Sequence, residues 1–225
     1  MSVFRDKALQ LKQDFDDVYQ AGYDKGKSEG GGDEILFTSH GSMYKQNMVI
    51  DISAQDGFYA YAYRNAEEME TLSIPNIKAA YTATSSVFEG CTKLKTACLP
   101  NIQRIGTRYF YNCTSLEEVT LGTDENPMQY ISKNAFENCS ALIRFNYIGV
   151  ITETISFVHS VKLNATSIET IVNSLSDSAT GQTLTLSLTA VNKAFETSTN
   201  ANDGSSSAEW TTLANSKSNW TITLQ

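Results

Sequence analysis

The sequence predicts an α/β solenoid, and three observations lead there. From about residue 57 the chain repeats one pattern every 22 to 26 residues, a period that suits stacked coils and is too short for a domain. Within each repeat, apolar residues alternate over a stretch just long enough for one strand. Ser, Thr and Asn make up more than a quarter of the 225 residues while proline occurs three times, a composition of turns and outward strand positions. Charged residues are only 19%, below the roughly 25% of an ordinary domain. A net charge of −8 and a pI near 4.8, with no clustered Lys or Arg, exclude a nucleic-acid backbone as partner. Mean hydropathy is −0.27 and no apolar run approaches ~18 residues, so no membrane span is expected. His40 and His159 are too few for a His-based triad or a His-rich metal site.

Residues 1–29 read as a helix. Phe4, Ala8, Leu11, Phe15, Val18 and Gly22 are spaced by alternating steps of four and three, the seam of a coiled coil, with Lys7, Gln10, Lys12, Asp16 and Asp17 on other faces. A helix this short is marginal alone, so the seam needs partner helices or the chain's own domain. Gly30-Gly31-Gly32, inside the polar run from Lys25 to Glu34, decouples the helix from the rest of the chain. The expectation is an anchoring or oligomerisation handle, a trimer favoured, succeeded over 30–56 by a Gly-rich linker and N-terminal cap strands. No apolar stretch of ~7–15 residues comes after Arg5 and Lys7, so the chain is expected to be made in a cytoplasm and to stay there or leave by lysis. Cys91, Cys98, Cys113 and Cys139 could in principle pair; in a reducing compartment they are expected as free thiols.

Residues 57–149 carry about four repeats around one column: Ala66, Cys91, Cys113 and Cys139. Three residues before it stands an aromatic (Tyr63, Phe88, Phe110, Phe136), three after it Met69, Leu94, Leu116 or Leu142. Apolar residues recur six places on (Leu72, Ala97, Val119, Phe145) and eight places on (Ile74, Leu99, Leu121, Tyr147), which puts both on one face of a short strand. Asn65, Asn112 and Asn138 precede the column, where a residue tolerant of left-handed backbone suits a tight bend. Pro75 and Pro100 end the first two strands, and Ile105 and Ile131 form a second column eight residues before Cys. Thr71, Ser73, Lys95, Cys98, Glu118, Thr120, Arg144 and Asn146 are expected to face outward.

Residues Ile131 to Leu142 and Phe110 to Leu121 closely match a unit reading "I-x-x-x-A-F-x-N-C-T-S-L-x-x-V-x-L-P". The chain thus resembles the BspA-type leucine-rich repeats of bacteria over roughly residues 58–148, with Ala66 and Tyr63 replacing Cys and Phe in the terminal coil. That resemblance implies a solenoid fold and a class that includes secreted adhesins.

Residues 150–225 read as a strand and helix C-terminal cap. Thr166 to Glu169 looks like a capping box opening a helix through Ile168, Ile171, Val172 and Leu175. Next come a strand over Thr183–Leu188, a helix from Thr189 to Phe195, a loop over Asn200–Ser207, a helix from Ala208 to Ser216 and a strand over Trp220–Leu224. Trp210 and Trp220 are expected to plug the end of the solenoid. This tail, with "SNWTITLQ" at its end, and the opening "LKQDFDDVYQAGYDKGKSEGGG" are similar to tail-associated proteins of phages and prophages of Gram-positive gut bacteria.

No phosphate-binding, zinc-protease, esterase or calcium-loop signature is present. Glu117, Glu118, Asp124 and Glu125 are the carboxylates from which a glycosidase pair could be drawn, but the first two alternate faces of one strand. The inward Cys column is no nucleophile, and the sequons at Asn112 and Asn138 are repeat grammar. The expectation is a non-enzymatic binding protein without cofactor or metal. Its candidate surface is Tyr59, Tyr61, Tyr81, Tyr109, Tyr111, Tyr130 and Arg144, because tyrosine brings contact area with a polar tip. The resemblance implies a virion role, with virion proteins held by the N-terminal helix and a host-surface protein or glycan bound by the solenoid. A bacterial cell-surface adhesin or interaction module is the alternative.

Overall fold

The computed structural model describes residues 60–74, 85–195 and 207–225, with the backbone of three short strands ahead of them. The helix expected over 1–29, with its seam of Phe4, Ala8, Leu11, Phe15 and Val18, lies outside the described residues, as do Tyr59, Tyr81 and the loop over 200–206.

Strands β1 (Ile35–Phe37) and β2 (Met43–Lys45) pair antiparallel. Strand β3 (Asn47–Val49) opens a five-stranded parallel sheet continued by β4 (Thr71–Ser73), β5 (Thr96–Leu99), β7 (Glu118–Leu121) and β9 (Arg144–Tyr147). Between β5 and β9 run β6 (Arg104–Ile105) and β8 (Tyr130–Ile131), which pair in parallel as a second, narrow sheet. The register obeys the repeat: Leu72, Ala97, Val119 and Phe145 stand side by side, all buried. The alternation read from the sequence is therefore an inward ladder, one rung per coil.

The turns opposite the main sheet explain the column of small residues. Asn65, Asn112 and Asn138 adopt φ of +58°, +61° and +62°. The second coil has Gly90 there, and a Cβ on it would come within 2.2 Å of Asn65 Oδ1. Each turn directs its aromatic inward. Tyr63, Phe88, Phe110 and Phe136 stack with centroids 5.3, 5.5 and 5.4 Å apart and nearly parallel rings. Each thiol then donates to the carbonyl of the previous coil's aromatic: Cys91 Sγ to Tyr63 at 3.3 Å, Cys113 Sγ to Phe88 at 3.2 Å, and Cys139 Sγ to Phe110 at 3.1 Å. Thiol donors are weak, so buried Phe, at ~1.5–3 kcal/mol each, supplies most of the energy while Cys fixes how the coils seat. All four cysteines are unpaired, three of them buried.

The ladder runs one coil beyond residue 149. Phe157 stacks on Phe136 at 6.1 Å, and Ser160 and Leu163 occupy the Cys and Leu columns with the same turn hydrogen bonds. Here the chain leaves the sheet. The inter-coil bonds Lys95 N to Glu70 O, Glu117 N to Lys95 O and Ile143 N to Glu117 O continue with Asn164 N to Ile143 O. Asn164 then caps helix α1 (Ala165–Asn173), accepting from Ser167 N at 2.9 Å, so the cap lies two residues before the Thr166 expected to provide it. Ser167 finishes the edge of β9: its hydroxyl accepts from Phe145 N at 2.8 Å and donates to Ile143 O at 3.1 Å. A polar side chain thus occupies backbone groups that would otherwise recruit another strand.

Strand β10 (Ile155–Phe157) begins a third parallel sheet, ordered β10-β11-β12, with β11 (Gln182–Leu186) and β12 (Trp220–Leu224). Helices α2 (Leu188–Ala194) and α3 (Ala208–Asn215) connect the last two, N-capped by Ser187 and Ser207. Trp210 packs on Phe195 at 5.6 Å, and Trp220 Nε1 donates to Ser176 O at 2.8 Å.

Ser160 marks where the grammar fails locally, since its hydroxyl is buried without a hydrogen-bond partner. An unpaired buried hydroxyl costs about 1–3 kcal/mol. Ser160→Ala, and Ser160→Cys to a greater degree by extending the thiol ladder, should raise unfolding free energy in urea by about 1 kcal/mol.

Candidate functional site

Strand alternation sends every second side chain of the main sheet outward, and the register sets these in two rows. One row is Thr71, Thr96, Glu118 and Arg144; the other is Ser73, Cys98, Thr120 and Asn146. All eight are exposed or half-exposed; seven are positions the spacing predicted, while Lys95 lies one residue before β5 and Thr96 takes the outward place expected of it. The β7 and β9 end is a polar network. Arg144 donates from Nε and Nη2 to Glu118 Oε2 at 2.9 and 2.7 Å, while Asn146 Nδ2 reaches Glu118 Oε1 at 3.1 Å and Thr120 Oγ1 at 3.2 Å. These donors, Arg144 first, hold the Glu118 carboxyl below the ordinary glutamate range. Next to it, Cys98 is the exposed thiol, and burial followed by the Glu118 charge pushes its pKa up. Beside the sheet, Lys93 pairs with Glu68 and Lys95 with Glu70, each at 2.6 Å, from one coil to the next.

The tyrosines do not form one surface. Tyr109 is 1% exposed and is corrected to a core residue, edge-on against Phe88 at 5.5 Å and Phe110 at 5.2 Å. Its place four residues before Cys113 is shared by Val87 and Ala135, both buried, and that apolar column was the available sign. Tyr61 is exposed and Tyr111 half-buried, both on the turn face. Tyr130 sits on β8 with the Arg104 guanidinium 5.0 Å above its ring. Arg144 belongs to the outward sheet.

The turn face holds residues the sequence did not single out. Glu89, whose side chain is 7% exposed, accepts on one oxygen from Arg64 at 3.0 Å and from Arg108 at 2.9 Å. Arg64 lies 5.4 Å from the Tyr61 ring centre and Arg108 4.0 Å from that of Tyr111. The clue was an alternation of charge in one turn column (Arg64, Glu89), with Arg108 three residues earlier in the next turn.

Nothing among the described residues assembles a reaction centre. Glu118 is committed to Arg144 and Asn146, whereas Glu117, Asp124 and Glu125 stand exposed. Burial raises the Cys113 thiol and pushes Cys139 up to about 12, the reverse of what a thiolate nucleophile needs. No group of three metal-ligating side chains and no helix long and apolar enough to cross a membrane occurs among the described residues.

Two measurements check this surface. With its folded pKa below that of an unfolded glutamate, Glu118 contributes stability above pH ~4.3, and that contribution is lost as pH falls through the depressed value. Arg144→Gln should therefore raise the Glu118 midpoint in a carbon-detected NMR titration, and the stability difference from the parent should shrink on acidification. A thiol-reactive disulfide should modify Cys98 alone in the folded protein and all four cysteines after unfolding. That reaction should accelerate in Glu118→Gln, which removes a charge opposing the thiolate.

Six copies of the BspA type leucine-rich repeat region match residues 57–187, more than half of the chain. No curated protein and no solved structure matches it. The matched span reaches past residue 149, where Phe157, Ser160 and Leu163 continue the ladder. Stacked coils, a thiol and phenyl ladder and an outward polar sheet describe a scaffold for binding, and the chain belongs to the BspA-type leucine-rich repeat family.

Proposed function

We propose that the chain is a non-enzymatic structural and binding protein of a phage virion, attached at the tail or baseplate. The observation that carries its binding role is the outward sheet face, in which eight polar side chains stand in two registered rows on a backbone fixed by neighbouring coils. A rigid array of this kind presents contacts without the entropic cost of ordering them. Arg144, Glu118, Asn146 and Thr120 are its pre-bonded end, where a host-surface protein or glycan, or a neighbouring virion protein, would dock. In this reading residues 1–29 form the handle, with Phe4, Ala8, Leu11, Phe15 and Val18 as the seam of a trimer or of a joint with another virion protein. The chain after the fifth coil acts as the C-terminal cap.

The virion assignment is supported by the resemblance of the N-terminal segment and the tail to phage tail-associated proteins. Antibodies against the chain should label particles at the tail in immunogold electron microscopy. Label confined to the bacterial envelope would overturn that assignment and select the adhesin reading. Light scattering after size-exclusion chromatography should give a trimer for the full chain, and a full chain that is monomeric with no binding partner removes the handle.

A further inference from the structure

Three successive coils place a Tyr–Arg–Glu–Arg–Tyr array across the turn face, away from the sheet. The first contributes Tyr61 and Arg64, the second Glu89, the third Arg108 and Tyr111. The turns are locked together by Tyr61 N to Ser85 O, Ser86 N to Thr107 O, Asn65 N to Glu89 O and Gly90 N to Tyr111 O. The order is mirrored about Glu89: Tyr precedes Arg in the first coil and comes after it in the third.

Glu89 is buried, so its carboxylate must find its partners within the protein. Two guanidiniums converge on the same atom, Glu89 Oε1, so the three groups together carry one net positive charge in a chain of net charge −8. Both arginine side chains remain nearly half exposed, at 47% and 44%. A guanidinium has five N–H donors, and each of these spends Nη2 on Glu89 while lying beside a tyrosine ring, so donors remain for a further acceptor on two half-exposed side chains. Tyr61, Ser86 and Arg108, each five residues before the Ala/Cys column, sit at φ of +62°, +56° and +56°, so the turn itself sets a left-handed position, and two of these three coils place a bulky side chain there. Tyr61 is 57% exposed beside the arginines, an aromatic surface adjoining a cationic one.

We infer that this array is a binding subsite for an oligosaccharide bearing an anionic group. The carboxylate or phosphodiester oxygens accept from Arg64 and Arg108, and the C–H face of the neighbouring sugar or polyol packs on the Tyr61 ring. Glu89 is a positioning residue: it aims both forks before the ligand arrives and remains beneath them. The inference deepens the binding role proposed above by naming a ligand class, and it holds whether a virion or a cell surface carries the chain.

Isothermal titration calorimetry of the full chain with three probes tests it: trigalacturonate, a short glycerol-phosphate oligomer and neutral maltotriose. At least one charged probe should bind and maltotriose should not, and the charged probe should bind more weakly as salt rises. Affinity should fall about tenfold or more in Tyr61→Ala and in Arg108→Gln. Tyr61→Ala removes an exposed ring and Arg108→Lys keeps a cation beside Glu89, so either reports on the site should Arg108→Gln unfold in thermal circular dichroism. Lys162→Gln, elsewhere on the surface, should bind as the parent does. Binding by neither charged probe, or equal binding by the folded variants, overturns the inference and leaves the immunogold result standing.

Discussion

Everything in the solenoid depends on the stacking of one coil's turn on the next. The sheet alone would not define it, because parallel strands of three or four residues offer few ladder bonds. The turn adds a second line of bonding at the opposite side, in which Phe88 N meets Tyr109 O and Phe110 N meets Ala135 O. Between the two lines the phenyl stack fills the space, and each aromatic pair is worth about 0.5–1.5 kcal/mol beyond its buried area. Once sheet and turn are both bonded between coils, the rise per coil is fixed, and that rise dictates the identity of the inward residues. An aromatic is needed where the turn is wide, a small thiol where the chain returns, and Leu where it enters the strand.

That constraint explains what could be read in the sequence. Side chains that repeat because the backbone repeats leave columns, and the Phe, Cys, Leu and left-handed Asn columns gave coil, core and turn correctly. The alternation in Thr96–Leu99 and Arg144–Tyr147 likewise separated buried from outward residues. Tyr109 lies in the core because column position outweighs residue type. Tyrosine favours surfaces, yet the column it occupies is lined by Val87 and Ala135, and geometry prevailed. Its hydroxyl is left buried without a partner, and burial raises its pKa. The fifth coil escaped notice for a related reason, since Ser160 replaces Cys and a helix stands where its strand should be.

The end of the sheet shows how little is needed to stop a repeat. Asn164 still makes the inter-coil bond of its column, and one residue later the chain is helical. The sequence around it, Asn-Ala-Thr-Ser, offers two side chains able to replace backbone partners, and both are used. Asn164 satisfies the first turn of the helix and Ser167 the edge of β9. Such local replacement has no periodicity, which is why a pattern search places the helix correctly and its cap two residues late.

A repeating backbone also separates the residues that stacking requires from those it leaves open. Inward columns are apolar in every coil because each coil sets the same packing problem. Outward columns face water, and any polar residue serves there equally, so a particular arrangement across coils needs a separate cause. On the sheet, Glu118, Arg144 and Asn146 bond to one another across two strands. On the turn face, Arg64, Glu89 and Arg108 do so across three coils, with two bulky residues held in left-handed backbone. The coil fixes the left-handed turn position, which Ser86 shares, but not the bulky Tyr and Arg that occupy it in the neighbouring coils, since a Ser or Asn there would keep the coil. These two arrays, ordered across coils by bonds between outward side chains, are the basis of the binding role proposed for the molecule.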